Sequence, residues 1–183
     1  KEHHEGLIAF TACLHGEIPI LIRRNRQKEA DEVALQYLKL FGEGNFFLEV
    51  QNNGIDIQES VNHALKDMSQ RLSIPLVASN DCHYLDKKDV RAHDVLLCIQ
   101  TGKTVNDSER LKFRTDQLYF KPPQEMFEFF RDYPNALENT VRIADRCDVT
   151  FDFKSYHFPK FDAPDKQSEA EYFEKRVIEG FDR

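Results

Sequence analysis

Three short apolar runs, separated by stretches of helical periodicity, constrain this chain more than any other feature. They begin near Gly6 (Gly-Leu-Ile-Ala-Phe-Thr), Phe46 (Phe-Phe-Leu-Glu-Val) and Ile74 (Ile-Pro-Leu-Val-Ala). The third shows no clean alternation, the pattern of a strand buried on both faces. Between the first two, residues 18–25 read as a short helix opened by Pro19. Residues 27–41 read as a stronger one, with Ala30, Val33, Ala34, Tyr37, Leu38 and Phe41 on one face. Between the second and third runs, residues 56–72 carry Ile57, Val61, Ala64, Leu65, Met68 and Leu72 as a core stripe, with His63 off it. Strand and helix alternating in this way predict an α/β fold built on a parallel sheet or barrel.

In such folds functional groups collect at the carboxyl ends of the strands. Three residues with ligand chemistry fall there: Cys13 after the first run, and Asp81 and His83 after the third. In extended backbone, residues two apart project to the same side, so Asp81 and His83 are placed to share one divalent ion. Together with a Cys13 thiolate they could hold Zn²⁺ or Mn²⁺ and polarise a water for attack on a phosphate ester. Each residue also has a plainer reading. Asp81 can cap the following turn, His83 and His15 can be loop residues, and free Cys is among the most buried residue types. Glu49 interrupts the second run and either points at a site near the strand's end or meets a polar partner, because carboxylates are rarely buried unpaired.

After His83 the texture changes. Residues 89–101 read as a helix whose apolar face uses Val90, Val95, Leu96, Leu97 and Ile99, with His93 either looking toward the site or, the preferred reading, covering the helix surface. Residues 102–118 read as loop and Tyr119-Phe120 as a brief extended piece. Pro122-Pro123 opens a helix through Phe130, and residues 135–147 form another with Leu137, Val141, Ile143, Ala144 and Cys147. From Asp148 to Phe161 the aromatics Phe151, Phe153, Tyr156, Phe158 and Phe161 suggest an extended linker docked on a surface. Pro164 marks a boundary. A last helix over 168–180 is capped by Ser168 with Glu171 three residues on.

The totals exclude several classes. No apolar run among the 183 residues approaches the ~20 of a membrane span, and no signal peptide is visible in Lys1-Glu2-His3-His4-Glu5. A net charge of −7 disfavours a nucleic-acid binder acting alone, which would carry a basic face. The densest basic group, Arg23-Arg24-Asn25-Arg26, reads as solvated surface. None of the four cysteines forms a C-x-x-C pair, so a reduced, cytoplasmic protein is expected, with Cys98 and Cys147 in the core. The first residue is not Met, and Gly180-Phe181-Asp182-Arg183 break off within a helical pattern, which reads as a piece of a longer protein.

Four blocks of sequence carry a resemblance: residues 6–18 (Gly-Leu-Ile-Ala-Phe-Thr-Ala-Cys-Leu-His-Gly-Glu-Ile), 47–54 (Phe-Leu-Glu-Val-Gln-Asn-Asn-Gly), 77–84 (Val-Ala-Ser-Asn-Asp-Cys-His-Tyr) and 91–99 (Arg-Ala-His-Asp-Val-Leu-Leu-Cys-Ile). They resemble the α subunits of bacterial DNA polymerase III, the C-family replicative polymerases, in the later half of the amino-terminal polymerase-and-histidinol-phosphatase (PHP) domain. Residues 138–147 and 158–161 resemble the segment leading into the polymerase palm. The resemblance implies a partial PHP-type distorted (β/α) barrel followed by a mostly helical segment. It implies boundaries at 1–120 for the carboxyl-terminal part of the PHP domain, 121–161 for a helical connector and 162–183 for the start of the palm.

By the same resemblance Asp81 and His83 match the family's last metal-ligand pair and Cys13 an earlier ligand, while the match at Glu49 is open between lining the site and a structural role. The implied ion is Zn²⁺ or Mn²⁺, with Mg²⁺ in the palm. Some family members use this site for 3′–5′ exonuclease proofreading, and others keep the domain as a scaffold for a separate proofreading subunit. DNA, dNTPs, the sliding clamp and the proofreading exonuclease are the implied partners, and no membrane. Two features depart from the family: its early His-x-His motif would precede Lys1, and no Asp-x-Asp pair for the palm occurs in the sequence. Polymerisation therefore has no catalytic residue within these residues. The alternatives are a stand-alone PHP phosphoesterase and a non-catalytic scaffold that docks a proofreading exonuclease.

Overall fold

The computed structural model describes residues 3–181. The chain divides into two compact units, Lys1–Cys147 and Asp148–Arg183. The expected break at Asp182 and Arg183 lies outside the described residues.

The first unit is mixed α/β around a three-stranded parallel sheet in the order β1-β2-β3. Strand β1 (Ala9–Phe10) pairs with the start of β2 (Phe46–Gln51), and the rest of β2 pairs with β3 (Leu76–Ser79). The crossovers are helical, α1 (Glu17–Arg23) and α2 (Gln27–Phe41) before β2, and α3 (Asp56–Leu72) before β3. All three strands thus end at the same edge. Strand β1 is shorter than its apolar run predicts. The Glu49 N–H donates to the Thr11 hydroxyl at 2.7 Å in place of a ladder bond, and Ala12, at φ 60°, then takes left-handed backbone. Gly16 packs against this turn. A Cβ there would lie 2.1 Å from the Thr11 carbonyl oxygen, so no side chain fits.

Strand β2 is covered on both faces. Phe46, Leu48 and Val50 join the main core with Ala30, Ala34, Val61, Leu65 and Met68. Phe47 packs with Val77 and Ile143 in a smaller cluster. Helix α2 presents the face its periodicity predicts. Helix α3 does so only in part, because Ile57 is exposed while Gln58 and Asn62 are buried in its place. Those amides are spent on the end of β2, where Asn62 brackets the Gln51 backbone: its Nδ2 donates to the carbonyl at 2.7 Å, and its Oδ1 accepts the N–H at 3.3 Å.

Helix α4 (Val90–Thr101) buries Leu97 and Cys98, whereas Leu96 and Ile99 of its expected apolar face are exposed. After α5 (Pro123–Phe129), α6 (Pro134–Arg146) packs on β3, where Asn139 Nδ2 donates to the Leu76 carbonyl at 2.7 Å and satisfies the sheet's outer edge. That role turns Ala136, Asn139 and Ile143 inward and leaves Val141 and Cys147 exposed, contrary to the core placement expected of both.

In the second unit α7 (Glu169–Phe181) starts at the expected capping box. The Ser168 hydroxyl accepts the Glu171 N–H at 3.2 Å, and the Glu171 carboxylate accepts the Ser168 N–H at 2.9 Å. The aromatics of this unit pair with one another, Phe151 with Phe153, Tyr156 with Phe158 and Phe161 with Tyr172. Among the described residues no helix is long and apolar enough to cross a membrane.

Candidate functional site

The carboxyl edge of the sheet gathers the side chains with chemistry. After β1, the Cys13 thiol is half-buried and lies 3.9 Å from Nδ1 of the exposed His15. After β3, His83 Nε2 lies 3.5 Å from Asp81 Oδ1, with both side chains partly exposed. The backbone between them is not extended, since Asp81 sits at φ 50°. The pair faces itself through a left-handed turn rather than through strand alternation. Two donors on one ion at about 2.1 Å each stand some 3–3.5 Å apart, so this spacing suits two ligands of a single cation.

Glu49 sits between these two loops, on the central strand. Its Oε1 accepts the Ser79 hydroxyl and, at 3.2 Å, Gln51 Nε2, and neither bond engages Oε2. Its backbone reaches Thr11 on one side and its side chain reaches Ser79 on the other. Glu49 therefore ties the ends of β1 and β3 together through β2, which is the polar-partner reading of this carboxylate. Among the described residues no three His, Cys, Asp or Glu side chains come close enough to hold one ion. The structure thus brings Asp81 and His83 together, with Cys13 and Glu49 along the same edge and outside that pair.

Beneath the Asp81–His83 loop runs a buried amide network. Asn53, fully buried, donates through Nδ2 to the Asn80 carbonyl at 2.6 Å. Gln58 completes it, with Oε1 accepting the Asn53 N–H at 2.8 Å and Nε2 donating to Asn53 Oδ1 at 2.9 Å. Asn80 Nδ2 donates to the Tyr119 carbonyl, and Asn80 Oδ1 accepts Lys121 Nζ at 2.8 Å. Lys121 is only 5% exposed. Its ammonium also donates to the Gln117 carbonyl and lies over the rings of Tyr119 and Phe129, at 4.4 and 5.1 Å from their centres. Burial lowers its pKa from the ordinary lysine value. The Tyr119 hydroxyl donates to Glu125, and that bond pushes its pKa up to about 12.

Above the loop is a cluster of rings. His93 on α4 meets His83 edge to face, with centres 5.2 Å apart, so it faces the site and does not merely cover the helix as the sequence suggested. Burial first, then the neighbouring His83, hold the His93 imidazole below its ordinary pKa. The signal in the sequence was its position four residues before the buried Leu97, on the same helical face. Lys121 and Asn53 had no such signal, because their roles depend on partners 41 and 27 positions away.

Residues 1–53 match the family model described as PHP domain. The chain is 41% identical over 177 residues to the DNA polymerase III subunit alpha of Treponema pallidum, covering 97% of this chain and 15% of that protein. It is 44% identical over 186 residues to the DNA polymerase III subunit alpha of Borreliella burgdorferi, covering 98% of this chain and 16% of the relative. An error-prone DNA polymerase of Symbiobacterium thermophilum is 36% identical over 96% of this chain. The chain spans 15 to 16% of the length of these relatives.

Proposed function

We infer that this chain is the corresponding segment of a bacterial replicative DNA polymerase of the DNA polymerase III α-subunit type, whose full length would carry out DNA-templated DNA synthesis. The observation that supports this most is similarity running through nearly every residue of the chain rather than through a single motif. On this reading residues 1–120 are the carboxyl-terminal part of the PHP domain, 121–161 a helical connector and 162–183 the start of the palm. Its partners would be DNA, dNTPs and the other subunits of the replicative holoenzyme, including the sliding clamp and a proofreading exonuclease, in the cytoplasm.

Within the PHP part, Asp81 and His83 would hold a Zn²⁺ or Mn²⁺ ion, with Glu49 lining the site and Cys13, which lies on the same edge outside the pair, as a further donor only if its loop moves toward them. The donor set fits a divalent ion of that kind, as a carboxylate oxygen and an imidazole nitrogen face each other at ligand spacing. Such an ion supplies Lewis acidity toward a phosphate ester and lowers the pKa of a bound water. The chain's own contribution is orientation. The amide network fixes the backbone that carries Asp81, and the Leu118 carbonyl accepts the His83 N–H at 2.8 Å.

A scaffold role is the competing reading, favoured by the absence of a third ligand beside the pair among the described residues. Metal analysis of the full-length protein, with Asp81→Ala as control, separates the two. Metal in the wild type that the variant loses supports a metal-dependent phosphoesterase module, whether or not it proofreads. Equal metal in both proteins supports the scaffold. The 183-residue segment alone is expected neither to incorporate dNTPs nor to cleave DNA efficiently, and dNTP incorporation by it would refute that expectation.

A further inference from the structure

We propose that His93 is a positioning residue for His83, acting as the hub of a ring clamp that sets the plane of the imidazole. The proposal rests on the reading of Asp81 and His83 as metal ligands. Four rings meet here, and His93 contacts each of the other three: Tyr84 at 5.3 Å, His83 at 5.2 Å and Phe113 at 5.6 Å between centres. Phe113 closes on His83 from a second direction, at 4.9 Å and an interplanar angle of 62°. His93 meets the His83 ring at 80°. Edge-to-face contacts of this kind prefer particular ring orientations, so two of them at different angles restrict rotation of a side chain that otherwise sits on a loop.

The clamp is carried by a regular element. His93 lies on α4, and the next residue, Asp94, receives Arg110 through two bonds, Nη1 to Oδ1 at 2.6 Å and Nη2 to Oδ2 at 2.9 Å. Both side chains of that pair are largely buried, at 6% and 15% exposure. A bidentate pair so shielded fixes geometry as well as proximity. It anchors the otherwise irregular segment that carries Phe113 to the same helix that carries His93. One helix therefore places both walls of the clamp, and the ligand ring takes its orientation from them.

The test uses the full-length protein, Mn²⁺ equilibrium dialysis and the visible absorption of the Co²⁺-loaded protein, which reports the ligand set directly. His93→Leu keeps the volume and removes the flat ring, whereas His93→Phe keeps the ring and removes the nitrogens. His93→Leu is expected to weaken Mn²⁺ binding about tenfold, as loss of a group that orients a metal ligand does, and to shift the Co²⁺ band. His93→Phe should restore both toward wild type. Wild-type affinity and spectrum in His93→Leu would overturn the proposal, and so would equal weakening in His93→Phe, since that would make the nitrogens the working part. If Asp81→Ala binds Mn²⁺ as tightly as wild type, the metal reading itself fails, and the clamp with it.

Discussion

The loops that follow β1 and β3 end at the same edge of one sheet but are held in different ways. The loop after β1 is fixed by backbone. Thr11 replaces a ladder bond, Ala12 reverses the chain, and Gly16 packs where no Cβ fits. Its chemical group, the Cys13 thiol, meets the exposed His15 at 3.9 Å. The loop after β3 is held by backbone bonds to the segment at Leu118 and, in addition, by side chains from other elements, namely Asn53, Lys121, His93 and Phe113. On the proposed reading, an aspartate and an imidazole that share one ion need their planes and backbones set, and the buried side chains gather at the loop where that orientation would matter.

The comparison can be broken most forcefully at Gly16. Gly16→Ala places a methyl group against the Thr11 and Cys13 carbonyl oxygens and is expected to destabilise the fold by about 3 kcal/mol, read from the urea midpoint. A shift near zero would mean the first loop is not backbone-limited. Asn53→Ala comes next. It removes the donor to the Asn80 carbonyl and one acceptor of Gln58 Nε2, and the expected cost is about 2 kcal/mol, with loss of Mn²⁺ retention alongside.

The alkaline limb of stability sharpens the contrast further. The Tyr119 pKa is raised in the folded protein, so its bond to Glu125 contributes stability in full below the ordinary tyrosine pKa of 10.0 and loses it as pH rises toward about 12. Tyr119→Phe should therefore lower stability at pH 8 and flatten its decline between pH 10 and 12. A parallel decline in both proteins would remove this bond from the account. The smallest effect is expected at Cys13, where Cys13→Ser should change stability by only about 0.5 kcal/mol, because the thiol has one long contact.

The same comparison explains what could be read from the sequence. Apolar runs located the three strands, and spacing of three or four residues located α2, α3 and the capped start of α7, since both signals are local in sequence. The proximity of Asp81 and His83 was legible because they lie two apart, although the sequence argument assumed extended backbone and the structure brings them together through a left-handed turn. Where polar residues replaced apolar ones for a tertiary reason the pattern misled, as with Gln58 and Asn62 for Ile57 on α3, and Asn139 for Val141 on α6. His93 was misplaced for a related reason, because a histidine on an amphipathic helix takes its meaning from the ring it meets.

Anomalous diffraction from crystals of the full-length protein grown with Mn²⁺ tests the Asp81–His83 geometry most directly. An anomalous peak about 2.1 Å from both Asp81 Oδ1 and His83 Nε2, with the His83 ring held between His93 and Phe113, is the predicted result. Well-ordered Asp81 and His83 side chains pointing apart, with no peak between them at saturating Mn²⁺, would contradict it.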